Sequence, residues 1–166
     1  IGVLLLAQIA VCFVSEPASA FAGLYVSTAA AQVMKVILTA GAFIVVVMAQ
    51  SWIERADVMR KEGEFYELII STLLGMYMMI SSGHFLMFFL GLEMASVPMA
   101  CLVAFDKFKQ NSAEGAAKFI LTATFSSGVM LYGISFIYGA CGTLYFDDVA
   151  DKISATPLAI MGLVFF

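Results

Sequence analysis

The sequence predicts an all-α fold, a polytopic bundle of transmembrane helices, from three observations. Hydrophobic residues fill 63% of the 166 positions and charged residues only 12%. Mean hydropathy is +1.02, far outside the range of soluble domains. The apolar residues form runs of bilayer length: Phe85 to Val103 makes a helix of about 28 Å, close to the hydrocarbon thickness. Fifteen Phe, eleven Met and thirteen Gly suit helices packed in lipid, where small residues permit close approach. The net charge of −4 reports topology rather than a nucleic-acid partner.

The first run, IGVLLLAQIAVCFV, reaches only about 21 Å and has no basic segment before it, so it reads as a partial transmembrane helix instead of a signal peptide. Ser15 to Thr28 is a polar connection of small residues with Glu16 and Pro17. The second span runs from about Ala29 to Trp52, which marks an interface, and Lys35 inside its first end is expected to snorkel. Glu54 to Glu64 is the most charged loop, and the third span covers roughly Phe65 to Ser82. The tight turn SSGH leads to the fourth span, Phe85 to Val103. After DKFKQNSAE, a long span from about Ala113 to Tyr138 is predicted, with Asn111 or Ser112 as cap and Glu114 in the first turn. A loop with Asp147, Asp148, Asp151 and Lys152 follows, and PLAIMGLVFF opens a sixth span. Four helices are thus expected complete and two partial, in one membrane domain over residues 1–166 that is a fragment of a longer subunit.

Orientation follows from basic residues. Arg55, Arg60, Lys61, Lys107 and Lys109 lie in the loops 54–64 and 104–113, whereas the alternate loops carry only Lys152. The positive-inside rule places the first two loops on the cytoplasmic side. Cys12, Cys101 and Cys141 are widely separated, with no C-x-x-C spacing. They supply no disulfide framework, zinc site or four-cysteine cluster. His84 is the sole histidine and cannot hold a haem from both sides. No metal site and no redox centre are expected in this chain.

Glu93 is the residue that demands explanation. It falls near the middle of its span, where an acidic side chain costs on the order of 2.5–3.5 kcal/mol unless it faces protein or water. Pro98 lacks an N–H and leaves the Met94 carbonyl without its helical donor, so polar capacity clusters at one depth. A structural, protonated Glu is the competing reading. Lys118 lies some 7 Å from Glu93 in depth, within reach of a lysine stem if the two helices face each other. Glu114, four residues earlier, offers Lys118 a local ion pair instead. The two readings are compatible, since Glu114, Lys118 and Glu93 make a ladder of the kind from which membrane proton relays are built.

FLGLEMASVPM followed by EGAAKFILTATFSSGVMLYGISFIYGACGT resembles the antiporter-like subunits of NADH-quinone oxidoreductase, respiratory complex I, and most closely the subunit N branch. Phe89, Leu90, Gly91, Leu92, Glu93, Ser96 and Pro98 match a first block, Glu114, Ala116 and Lys118 a second, and Tyr132, Gly133, Tyr138, Gly139, Gly142 and Thr143 a third. Gly115, Phe119, Ala100 and the pair Gly83-His84 depart from the pattern, and none of these removes an ionisable group from the membrane centre. The resemblance implies a half-channel in which Glu93 works with lysines on later helices, one of them expected beyond Phe166. It implies catalytic roles in proton transfer for Glu93 and Lys118, with Glu114 as an auxiliary.

The reading is a proton-translocating membrane subunit that couples NADH-to-quinone electron transfer to pumping. NADH, flavin, iron–sulfur clusters and quinone are expected in partner subunits, and no cofactor in this chain. The expected partners are other membrane subunits and the lipid bilayer, and the expected location is a bacterial plasma membrane or an equivalent energy-transducing membrane. The alternatives are an antiporter-like subunit of a cation/proton antiporter or membrane hydrogenase, and a structural subunit in which Glu93 and Lys118 fix helix register. An intramembrane enzyme lacks a nucleophile–base pair or metal cluster in this sequence.

Overall fold

The computed structural model describes residues 1–14, 18–53, 62–106 and 109–166. The basic-loop residues Arg55, Arg60, Lys61 and Lys107, and with them Glu16 and Pro17, lie outside the described residues. The chain folds as α1 (Gly2–Val14), a hairpin of β1 (Ala18–Ala20) and β2 (Tyr25–Ser27), α2 (Ala29–Ile53), α3 (Glu62–Ile80), α4 (Phe85–Val103), α5 (Gln110–Cys141), α6 (Phe146–Lys152) and α7 (Pro157–Phe165). Among the described residues, α2, α4 and α5 are long and apolar enough to cross a membrane, and α1 is a shorter apolar helix. The third expected span, α3, is as long as α4 but carries Glu62 and Glu64 in its first turn, where the helix dipole favours anions.

Close helix contacts rest on glycine. A Cβ on Gly75 of α3 would lie 2.5 Å from Ala95 N and 2.6 Å from Met94 C of α4, and one on Gly91 would lie 2.6 Å from Met79 N. The two helices therefore touch backbone to backbone. Gly133 of α5 and Gly162 of α7 repeat the arrangement. Two apolar clusters fill the remaining space. Leu5, Val46, Ile69 and Leu73 join α1, α2 and α3, while Phe85, Ile134, Ile137 and Val149 join α4, α5 and α6.

Three expectations are corrected. The connection 15–28 contains a hairpin with register Ala18↔Ser27, Ser19↔Val26 and Ala20↔Tyr25. Its turn places Phe21, Ala22 and Gly23 at positive φ. The acidic loop after Thr143 is in part the helix α6, whose first turn holds Asp147 and Asp148 and whose last holds Lys152, both matched to the dipole. The cap of α5 is Lys109, with no side-chain hydrogen bond, because the Ser112 hydroxyl donates to the Val103 carbonyl across the α4–α5 connection instead.

At the hairpin end the turn 81–84 is held on both sides. Val26 N donates to Ser81 O at 2.7 Å and Gly83 N to Leu24 O at 2.8 Å. From the other side, Phe146 N donates to Gly83 O at 3.1 Å and Phe85 N to Leu144 O at 3.0 Å. Gly83 is required there, since a Cβ would collide with Gly23 O. His84 caps α4: its Nδ1 accepts from Leu86 N at 3.1 Å, and burial lowers its pKa, keeping the ring neutral as that acceptor role requires.

Candidate functional site

The α4 helix presents three different faces. Gly91, Met94 and Ala95 lie against α3. Phe85 and Phe89 pack toward α5 through Ile134 and Ile137, and Leu92 and Ser96 line a groove of about 470 Å³ shared with Ala123, Ser126 and Ser127. The third face is the stripe Leu86, Leu90, Glu93 and Val97, spaced four, three and four residues apart. Its leucines and valine are exposed and Glu93 is half-buried. Among the described residues the Glu93 carboxylate makes no hydrogen bond or ion pair; Ser96 Oγ donates to the Glu93 main-chain carbonyl at 3.3 Å.

α4 remains helical through Pro98. The Met94 carbonyl, which Pro98 cannot bond, belongs to the peptide pressed against Gly75, so the expected polar relief lies on the α3 side while Glu93 points elsewhere.

Lys118 takes the local partner. Its Nζ donates to Glu114 Oε1 at 2.5 Å, and both side chains are open, 75% and 60% exposed. The pair does not reach Glu93. Lys118, Thr122 and Ser126 instead line a shallow hollow on α5, where Thr122 Oγ1 donates to the Lys118 carbonyl at 2.8 Å. Among the described residues no group of three or more His, Cys, Asp or Glu side chains is placed to hold a metal ion.

One polar cluster went unread in the sequence. Lys35 does not snorkel to solvent: it is 6% exposed, and its Nζ donates to Tyr25 Oη of the hairpin at 2.8 Å. One turn deeper, Thr39 Oγ1 donates to the Lys35 carbonyl at 2.6 Å and pairs with Tyr77 Oη of α3. The four-residue step from Lys35 to Thr39 was a legible signal that both share a face. The partner Tyr25 was not legible, because the hairpin that delivers it was not.

Residues 82–166 match the family described as NADH:quinone oxidoreductase/Mrp antiporter, TM. The chain is 60% identical over 151 residues to the NADH-quinone oxidoreductase subunit N of Phocaeicola vulgatus, covering 91% of this chain and 32% of that protein. It superposes with a TM-score of 0.82 on a chain of respiratory complex I from Thermus thermophilus with bound aureothin, 26% identical, covering 99% of this chain and 35% of that one. A chain of the archaeal membrane-bound sulfane sulfur reductase shares the fold, with a TM-score of 0.75 and 21% identity over 99% of this chain and 36% of that one. The chain spans about a third of the length of these relatives.

Proposed function

The chain belongs to the NADH:quinone oxidoreductase/Mrp antiporter family, and from that premise we propose that it is the part of a proton-translocating subunit in which Glu93 takes up and releases the transported proton. The observation that carries this reading is the stripe Leu86–Leu90–Glu93–Val97, which sets one carboxylate at mid-helix on a face that neither α3 nor α5 covers. A carboxylate at that depth needs protein or water beside it. Helices of the remaining two thirds of the relatives' length are the source of that cover. An approaching ammonium favours an ionised carboxylate, and apolar surroundings favour a protonated one, so moving a lysine toward or away from this face loads and unloads the proton.

Electron transfer from NADH to quinone, through flavin and iron–sulfur clusters in partner subunits, supplies the drive. The subunit sits among other membrane subunits in a bacterial plasma membrane or its equivalent. The family also includes Mrp antiporters, so a cation/proton antiporter subunit is the second reading. Dependence of pumping on NADH oxidation separates the two. The deciding measurement is proton translocation driven by NADH in membranes with verified assembly, comparing the parent with Glu93→Gln.

Lys118 serves as an auxiliary in this scheme. Lys118 is exposed and paired locally with Glu114 rather than with Glu93, so Lys118→Arg keeps most pumping and Lys118→Ala lowers it only partly. Abolished pumping in an assembled Lys118→Ala complex would make Lys118 the obligatory partner of Glu93.

The orientation yields a labelling prediction. Cys141 ends α5 beside the hairpin-side turn and is half-buried. With Cys12 and Cys101 replaced, it reacts with a membrane-impermeant thiol reagent added from the outer side. Labelling from the cytoplasmic side alone reverses the topology.

A further inference from the structure

Lys35 is a buried amine that forms no ion pair among the described residues. It lies about 9 Å inside the first end of α2, at the end of the bundle opposite Lys118. The groups around the Lys35–Tyr25 pair come from three elements. Tyr25 Oη of β2 accepts its proton at 2.8 Å, and the ammonium nitrogen is 4.9 Å from the Tyr25 ring centre. Ser81, after α3, is fully buried close to the same phenol. Cys12 of α1 is buried within electrostatic range of Tyr25 and Tyr77.

The Thr39–Tyr77 pair does not extend this site inward. Thr39 donates to the Lys35 carbonyl, so that chain of hydroxyls ends on the main chain. The open direction is through Tyr25, which is only half-buried in the hairpin.

We propose that Lys35 is a second proton-exchanging group of this chain, opening through the Tyr25 phenol to the side of the membrane opposite the Lys118–Glu114 pair. This rests on the reading of the chain as part of a proton-translocating subunit. An amine and a phenol stay hydrogen-bonded in both protonation states: the ammonium donates to the phenol, and the neutral amine accepts from it. On release, the ammonium proton passes to Tyr25 Oη while the phenol proton leaves to water at the exposed edge of the hairpin. The net change is one proton delivered and one neutral lysine left behind. Burial tends to raise the Tyr25 pKa, yet the Lys35 hydrogen bond, Ser81 and the Lys35 charge together lower it, which suits a phenol that passes protons.

The test uses the assembled complex in membranes, reading protons translocated per NADH oxidised as a function of pH on the outer side. Three variants, Lys35→Arg, Lys35→Met and Tyr25→Phe, are compared with Glu93→Gln in the same preparation. Arginine keeps the charge and the donors but does not release its proton. The expected result is a several-fold loss of pumping in Lys35→Arg, as in Lys35→Met, and a displaced outer-pH profile in Tyr25→Phe. Parental pumping in Lys35→Arg overturns the proposal and leaves Lys35 as a fixed charge that latches the hairpin. The arginine variant decides this even where Lys35→Met fails to assemble. An unchanged pH profile in Tyr25→Phe overturns the route through the phenol. If the Lys35 variants pump normally while Glu93→Gln does not, only this site falls. If Glu93→Gln pumps like the parent, the translocation reading itself falls.

Discussion

Glu93→Gln is expected to leave the complex assembled and to remove most NADH-driven proton translocation, since positioned acid–base groups contribute about 10²–10⁴-fold. Glutamine matches glutamate in shape and keeps hydrogen-bonding capacity, yet it exchanges no proton at accessible pH. It therefore removes titration while preserving packing. Nothing among the described residues depends on the carboxylate for a hydrogen bond, so the fold of this chain does not suffer. Glu93→Asp keeps a titrating group one methylene shorter, and the open stripe around it leaves room for water to bridge the difference, so partial pumping is retained. A Glu93 that only fixed helix register would tolerate Gln better than Asp. Parental pumping by an assembled Glu93→Gln complex would falsify the translocation role, and impaired assembly of Glu93→Asp beside it would put the register-fixing role in its place.

The second large effect is on assembly and stability. Gly75→Ala drives a methyl group to 2.5 Å from Ala95 N and 2.6 Å from Met94 C, and neither is the end of a flexible side chain. The α3–α4 pair must separate, at a cost of about 1–3 kcal/mol typical of overpacking. Gly91→Ala makes the same collision from the other helix, against Met79 N and the Gly75 carbonyl. The two substitutions should be less than additive, because the first already opens the contact that the second would clash with. Gly41→Ala and Gly128→Ala serve as controls, since nothing lies within 4 Å of the Cβ they add. Thermal inactivation of the purified complex separates the pairs: Gly75→Ala melts early and Gly41→Ala does not. Equal melting of all four variants would mean that α3 and α4 do not touch through these glycines.

Much of this architecture was legible from apolar run length. The α4 helix occupies Phe85–Val103 as expected, because His84 caps one end and the charged connection after it stops the other. The all-α membrane fold and the family resemblance both hold against the relatives. The hairpin was not legible: strands of three residues are too short to show alternation, and Phe21 and Ala22 are not residues that announce positive φ. The α6 helix was readable in principle from acids at its start and Lys152 at its end, but a seven-residue segment rich in charge looks like a loop when only hydropathy is followed.

Depth arithmetic assigns Glu93 and Lys118 expected heights along their helices but says nothing of their azimuths. Lys118 turned out to face Glu114, and Glu93 to face neither α3 nor α5. Rotation about a helix axis is fixed by which small residues meet a neighbour, and Gly75 and Gly91 reveal that only once their packing is known.

The backbone contact between α3 and α4 also has a mechanical meaning. Two helices in contact at Gly75 and Gly91, and joined at their hairpin end by a turn hydrogen-bonded on both sides, cannot roll past each other without losing every one of those contacts. In the proton-translocating subunit proposed above, such a pair would serve as a stator. Glu93 is carried on α4 and so shares the bearing that the α3–α4 contact fixes. The stroke belongs to whatever covers the opposite face, so a cross-link between α3 and α4 should leave turnover intact, while one that pins the covering helix to α4 should stall it.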